Sequence, residues 1–174
     1  SMFDSLDAHL EDLIEKNNII LSDNTKLQSE VLCVIKDWKL KDATTTRMIH
    51  VLKQWLDEIK YTGTLTFYGD ASGLQRNTAS DYTNWLLIEN AFPNAYYSYN
   101  TSNPTVTDRI NTANMKIKNA SNEIGLLIDI NRALDTIRDF EQVSYKRGTM
   151  QLDKSKERQG IGHLYDATTY CIYE

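Results

Sequence analysis

Residues Thr64 to Tyr82, TLTFYGDASGLQRNTASDY, constrain the fold of this chain more than any other segment. A run of β-branched and aromatic residues ends at Gly69-Asp70. Small residues follow, Arg76 stands among them, and Ser80-Asp81 opens a helical pattern. The run reads as a buried strand, and the turn after it leaves Asp70 at the strand's carboxyl end, where open α/β sheets place their chemistry. Taken alone, Asp70 reads equally well as a carboxylate that caps the Ser72–Arg76 turn.

The rest of the chain alternates in the same way. Residues 5–17 carry Leu6, Leu10, Leu13 and Ile14 at helical spacing between acidic side chains. Ile19-Ile20-Leu21 and VLCVIKDW (31–38) read as the two strands of a hairpin, with the polar SDNTKLQSE as its turn. Thr44, Thr45 or Thr46 can cap a helix to about Tyr61, whose apolar stripe is Met48, Val51, Leu52, Trp55, Leu56 and Ile59. Ser80 caps a helix through DYTNWLLIENAF, closed by Pro93, and AYYSYN (95–100) is the next strand. A helix from about Thr105 to Ala120, the strand GLLIDI (125–130) and the helix NRALDTIRDFEQVSY (131–145) follow. KRGTMQLDKSKERQGIG is a polar loop or exposed hairpin, and HLYDATTYCIY is a final helix. No repeat or linker divides the chain. Residues 1–174 therefore read as one α/β domain, with a mixed sheet flanked by helices and an atypical helix within residues 1–18.

Composition narrows the class. With 174 residues, 41% hydrophobic and 25% charged, the chain can bury a substantial core and does not have the make-up of a disordered protein. No window approaches the roughly 18 apolar residues of a membrane span, and the acidic, amphipathic start lacks the pattern of a signal peptide. The net charge of −5 provides no global positive field for nucleic acid, so any DNA contact has to be local, with metal ions offsetting acidic groups. Cys33 and Cys171 have neither zinc-ligand nor disulfide-framework spacing and read as buried thiols of a cytosolic protein.

Two further segments can carry chemistry. In GHLYDA, His163 and Asp166 lie three apart and share a helix face. They can organise a divalent cation, or serve as a surface histidine and an aspartate facing the helix dipole. In NPTVTDRINTAN, Asp108 and Arg109 open a helix, and capping with a surface ion pair accounts for both.

Taken in order, YGDASGLQRNTASDY, SNPTVTDRINTAN, LLIDI, IRDFEQVSYKRGT, LDKSK and GHLYDATTY resemble the nuclease domain of the large terminase subunit of tailed bacteriophages. Upstream, VLCVIKDWKLKDATTTRMIHVL looks like the strand and helix start of the same family, so the resemblance covers about residues 31–174. It implies a ribonuclease-H-like fold in which acidic side chains at strand ends hold Mg²⁺ or Mn²⁺. The chemistry implied is two-metal hydrolysis of DNA phosphodiesters, with ions about 3.5–4 Å apart. By position, Asp70 resembles the family's middle catalytic carboxylate and Asp166 its last, both metal ligands, with His163 beside the metals. Arg76, Arg109, Lys154 and Lys156 are candidates for phosphate contacts, and each is equally a plain surface cation.

The resemblance further implies double-stranded DNA as partner, together with terminase ATPase, portal or small-terminase proteins. It also implies the cytoplasm of an infected bacterial host, and it allows a homo-oligomer. The chain has no Walker A pattern, so it carries no ATPase half. It departs from the family at the first catalytic aspartate, which belongs on an opening strand; here SMFDSLDAHLEDLIEKNN has helical spacing. Asp23, Asp4 and Asp7 are the substitutes the sequence offers. Two function classes stay open, a metal-dependent DNA endonuclease and a terminase-derived module that cuts weakly or not at all and acts by binding. An unrelated α/β binding domain is a third.

Overall fold

The structure, a computed structural model, describes residues 25–75, 82–99, 101–144, 146–147, 149, 153 and 162–173. These form an α/β arrangement in which strands and helices alternate: β1 (Lys26–Val34), α1 (Thr45–Glu58), β2 (Thr66–Tyr68), α2 (Asn84–Ala91), β3 (Tyr96–Ser98), α3 (Val106–Ile117), β4 (Glu123–Ile128), α4 (Leu134–Gln142) and α5 (His163–Tyr173). A short 3₁₀ turn, Ala71–Leu74, follows β2. β1 pairs with β4 and β2 with β3, and both pairs are parallel; α2 makes the crossover from β2 to β3. The expected first hairpin strand at 19–21 and the helix at 5–17 lie outside the described residues.

One strand starts earlier than its sequence suggests. SDNTKLQSE was expected as a turn, yet Lys26 and Leu27 already pair with Glu123 and Ile124, and the register shifts before Leu32 pairs with Leu126. Polar residues are stable there because the ladder and the neighbouring helix satisfy them. The Gln28 side-chain amide donates to the carbonyls of Met115 (2.8 Å) and Glu123 (3.1 Å), and Lys116 Nζ donates to Glu30 O at 2.7 Å.

Helix starts follow the capping logic. Thr44, Thr83 and Thr105 each accept a hydrogen bond from a backbone N–H in the first turn of α1, α2 and α3. The cap of α2 is thus Thr83 rather than Ser80, which lies outside the described residues. Thr105 Oγ1 also donates to Asp108 Oδ2 at 2.6 Å, so Asp108 is a capping partner, as its position in the first turn suggests.

Two apolar centres hold the elements. Around β2 and β3, Phe67 stacks on Tyr97 (5.5 Å between centroids), Trp85 stacks on Tyr99 (4.2 Å) and Phe92 closes on Phe67. Around α3, α4 and α5, Ile110, Ala113, Ala133 and Tyr165 are buried, with Phe140 edge-on to Tyr165. α5 packs on both α3 and α4 and reaches β2. Cys33 and Cys171 are free thiols that line one apolar groove with Leu32, Val34 and Met48, and burial pushes both thiols up. Among the described residues, no helix is long and apolar enough to cross a membrane.

The β4–α4 connection is organised by Asp129. Burial raises its carboxyl, but the backbone N–H groups of Asn131 and Arg132 and the Arg132 guanidinium outweigh burial and hold it below the usual range. A depressed carboxyl stabilises the fold fully above its unfolded value of about 3.9 and loses that contribution as pH falls through the folded value. Acid titration of thermal stability should therefore show a loss below about pH 4 that Asp129→Asn flattens. An unchanged acid limb in that variant would show that the loop does not contribute.

Candidate active-site cleft

The strand–turn–helix unit around Asp70 is built by a tryptophan. The Trp85 indole lies against Gly69 and Gly73, and its Nε1–H donates to Asp70 O at 3.2 Å. A Cβ on Gly73 would stand 2.6 Å from Trp85 Nε1, and one on Gly69 would stand 2.8 Å from the ring. The two glycines of YGDASG are therefore there for close approach. Gly73→Ala should cost about 1–3 kcal/mol by overpacking, read in a denaturant melt; a melt equal to the parent would show that the indole can move aside. The Asp70 carboxylate caps the 3₁₀ turn, its Oδ1 accepting from the Ser72 N–H at 3.0 Å and from the Ser72 hydroxyl. Asn103, at the entry to α3, accepts from Ala71 N–H at 2.7 Å and fastens this turn to the next unit.

On the opposite side, α5 is set by contacts far apart in sequence. Gly162 has a φ of +99°, a left-handed conformation that glycine adopts without strain, and its carbonyl accepts from Asp166 N–H at 2.9 Å. Asp139, 1% exposed on α4, accepts from Leu164 N–H (2.9 Å) and from Lys39 Nζ (3.0 Å). Asp37 in turn accepts from Thr136 N–H (2.7 Å) and Oγ1 (3.0 Å). The segment that follows β1 thus holds the starts of α4 and α5 together.

These supports bring Tyr68, Asp70, Asn103, Arg109, His163, Asp166 and Tyr170 to a single cleft of about 520 Å³. Asp70, His163 and Asp166, singled out in the sequence from segments almost a hundred residues apart, all line it. Burial raises the Tyr170 phenol; the Arg109 charge works against this, while Asp70 and Asp166 both add to it. Tyr170 thus senses both carboxylates.

Arg109 is not a surface cation. It is 5% exposed, its Nη1 lies 2.8 Å from Asp166 Oδ1, and its guanidinium carbon lies 4.3 Å from the Tyr170 ring centroid. The sequence offered Arg109 as half of a surface ion pair or as a phosphate contact; the fold pairs it with Asp166. Arg76, Lys154 and Lys156 lie outside the described residues, as do Asp4, Asp7 and Asp23.

Tyr170, Asn103, Thr169 and Asp139 complete the site's framework and were not anticipated. Each stands in one of the motif segments SNPTVTDRINTAN, IRDFEQVSYKRGT and GHLYDATTY, and Tyr170 also stands four residues after Asp166 on the same helix face. Among the described residues, no three His, Cys, Asp or Glu side chains are grouped closely enough to hold a metal ion. Comparison of the chain with protein-family models, curated proteins and solved structures gives no match.

Proposed function

We propose that the cleft is the active site of a divalent-metal-dependent DNA endonuclease domain of the phage terminase type, ribonuclease-H-like in fold. The observation that supports this reading most is the convergence of Asp70, His163 and Asp166 on one cleft, since the sequence motifs single out the same three residues. Mg²⁺ and Mn²⁺ suit carboxylate oxygens together with water and a substrate phosphate. Asp166 Oδ1 is buried 2.8 Å from Arg109 Nη1, so the carboxylate would meet a cation through its other oxygen. Asp70 and Asp166 would hold the ion, with His163 beside them. When bound, the ion supplies Lewis-acid activation of water and charge neutralisation at the phosphate. Asp70 and Asp166 provide the negative charge that offsets it, and Tyr68 and Tyr170 wall the cleft.

The Arg109–Asp166 ion pair favours a second reading. A carboxylate already facing a buried guanidinium attracts metal less strongly, and the described residues group no third ligand. The chain would then be a terminase-derived module that binds DNA or a packaging partner and cuts weakly. A plasmid-nicking assay with Mn²⁺ and with a chelator separates the two. Nicking that needs Mn²⁺ is the expected result. Retained DNA binding in a mobility-shift assay without nicking would replace the first reading by the second.

A further inference from the structure

We infer that the apolar groove between β1, α1 and α5 is the seat of the chain's own N-terminal segment, with Leu6, Leu10, Leu13 and Ile14 of residues 5–17 laid into it. The groove, of about 420 Å³, is lined by Leu32 and Val34 of β1, Met48 of α1, Leu164 of α5 and the thiols of Cys33 and Cys171. It lies where the core is unfinished. VLCVI (31–35) is an unbroken apolar run, yet none of its residues is buried, whereas the partner strand β4 buries Gly125 and Leu126. α1 carries an apolar stripe from Met48 to Ile59 and buries none of it. An apolar strand and an amphipathic helix that both stop half-covered leave a contiguous face for another element.

Reach and chemistry single out the occupant. Residues 1–24 lie outside the described residues; of these, 18–24 join the segment to Thr25, and seven extended residues span at most about 25 Å. Leu32 stands no more than about 23 Å along β1 from Thr25, and the thirteen residues 5–17 as a helix are about 20 Å long. The tether therefore lets the segment double back over the groove. It also holds the segment at an effective concentration on the order of millimolar, above the micromolar concentration of a second copy in solution. The leucines and Ile14 share one helix face, and Asp4, Glu11, Asp12 and Glu15 lie away from it. Lys36 lines the groove and offers a cation to that acidic face, while Asp37, the groove's carboxylate, is spent on Thr136.

Docked there, the segment also braces the helix that walls the cleft. α5 turns Leu164, Thr168 and Cys171 to the groove and His163, Asp166 and Tyr170 to the cleft, with Ala167 between them.

The two thiols report on the cover directly. The full chain is reacted with N-ethylmaleimide, labelling rates at Cys33 and Cys171 are read by peptide mass spectrometry, and folding is followed by circular dichroism. Loss of a buried leucine from a packed site shifts an equilibrium by more than about tenfold. Both thiols should therefore react at least about tenfold faster in Leu10→Asp and Leu13→Asp than in the parent, while Asp12→Ala, on the polar face, keeps the parent rate. Parent thiols that already react as fast as those of the leucine variants would overturn the inference. So would protection that grows with protein concentration alongside a dimer in sedimentation, which would give the groove to a second copy. Should the aspartate variants unfold, Leu13→Cys decides. Mild oxidation should then yield an intrachain disulfide to Cys33 or Cys171, and an interchain disulfide or none would overturn the docking equally.

Discussion

Replacing Asp166 by alanine should remove Mn²⁺-dependent nicking and destabilise the protein, whereas Asp70→Ala should remove nicking at a smaller cost in stability. Deleting even an outer partner of a metal ligand costs about 10–100-fold, so a direct ligand should cost at least about a hundredfold in rate. The stability difference follows from what each carboxylate leaves behind. Asp166 is the counter-charge of Arg109, and the two side chains are 33% and 6% exposed. Breaking a fully buried pair costs about 3–5 kcal/mol; solvent reaching Asp166 lowers this to about 2 kcal/mol. That is a fall in Tm of about 4–8 °C for a chain of this size. Asp70 gives up the cap of a short turn, about 1 kcal/mol. Nicking rates and thermal melts of the two variants check both halves. Nicking that survives Asp70→Ala would remove the cleft from the chemistry.

Asp139→Ala should be the most destabilising single change near the site. The carboxylate is almost fully buried, and it holds Lys39 on one oxygen and the Leu164 N–H on the other. Its removal leaves a donor at the start of α5 unsatisfied and strands the Lys39 ammonium, which is itself 30% exposed and can turn to water. The lower end of the buried-pair range applies, about 3 kcal/mol, or about 6–12 °C in Tm. Asp139→Asn can still accept from Leu164 and should fall roughly midway. Urea melts measure the loss, and hydrogen exchange at Leu164 locates it. Fast exchange at Leu164 in an otherwise protected protein would mark fraying of α5 and should bring weaker Mn²⁺ binding with it. A parent-like melt for Asp139→Ala would show that neither contact matters.

Much of the fold could be read from local chemistry, and the exceptions share one cause. Helix α5 lies where its pattern puts it, and the strand read at 125–130 runs two residues earlier, over Glu123–Ile128. The threonine cap of α1 was readable because capping is a local hydrogen bond. Lys26 to Glu30 were not readable as a strand, because the Gln28 amide and the Glu30 carbonyl find their partners in β4 and α3 some ninety residues away. The site divides in the same way. Asp70, His163 and Asp166 stand out because a carboxylate at a strand end and a histidine–aspartate pair on one helix face are short-range patterns. Arg109 and Asp139 look like ordinary members of amphipathic helices, and only tertiary packing makes one a buried cation and the other the cap of a different helix.

The support of the cleft from α5 also sets a timetable for its making. Asp166 follows Arg109 by 57 residues. At synthesis rates of about 5–20 residues per second, the growing chain carries Arg109 for about 3–11 s before its counter-charge exists. Throughout that interval the wall that α5 provides is missing, so a nascent chain that has already made the turn around Asp70 cannot yet present a complete acidic cleft.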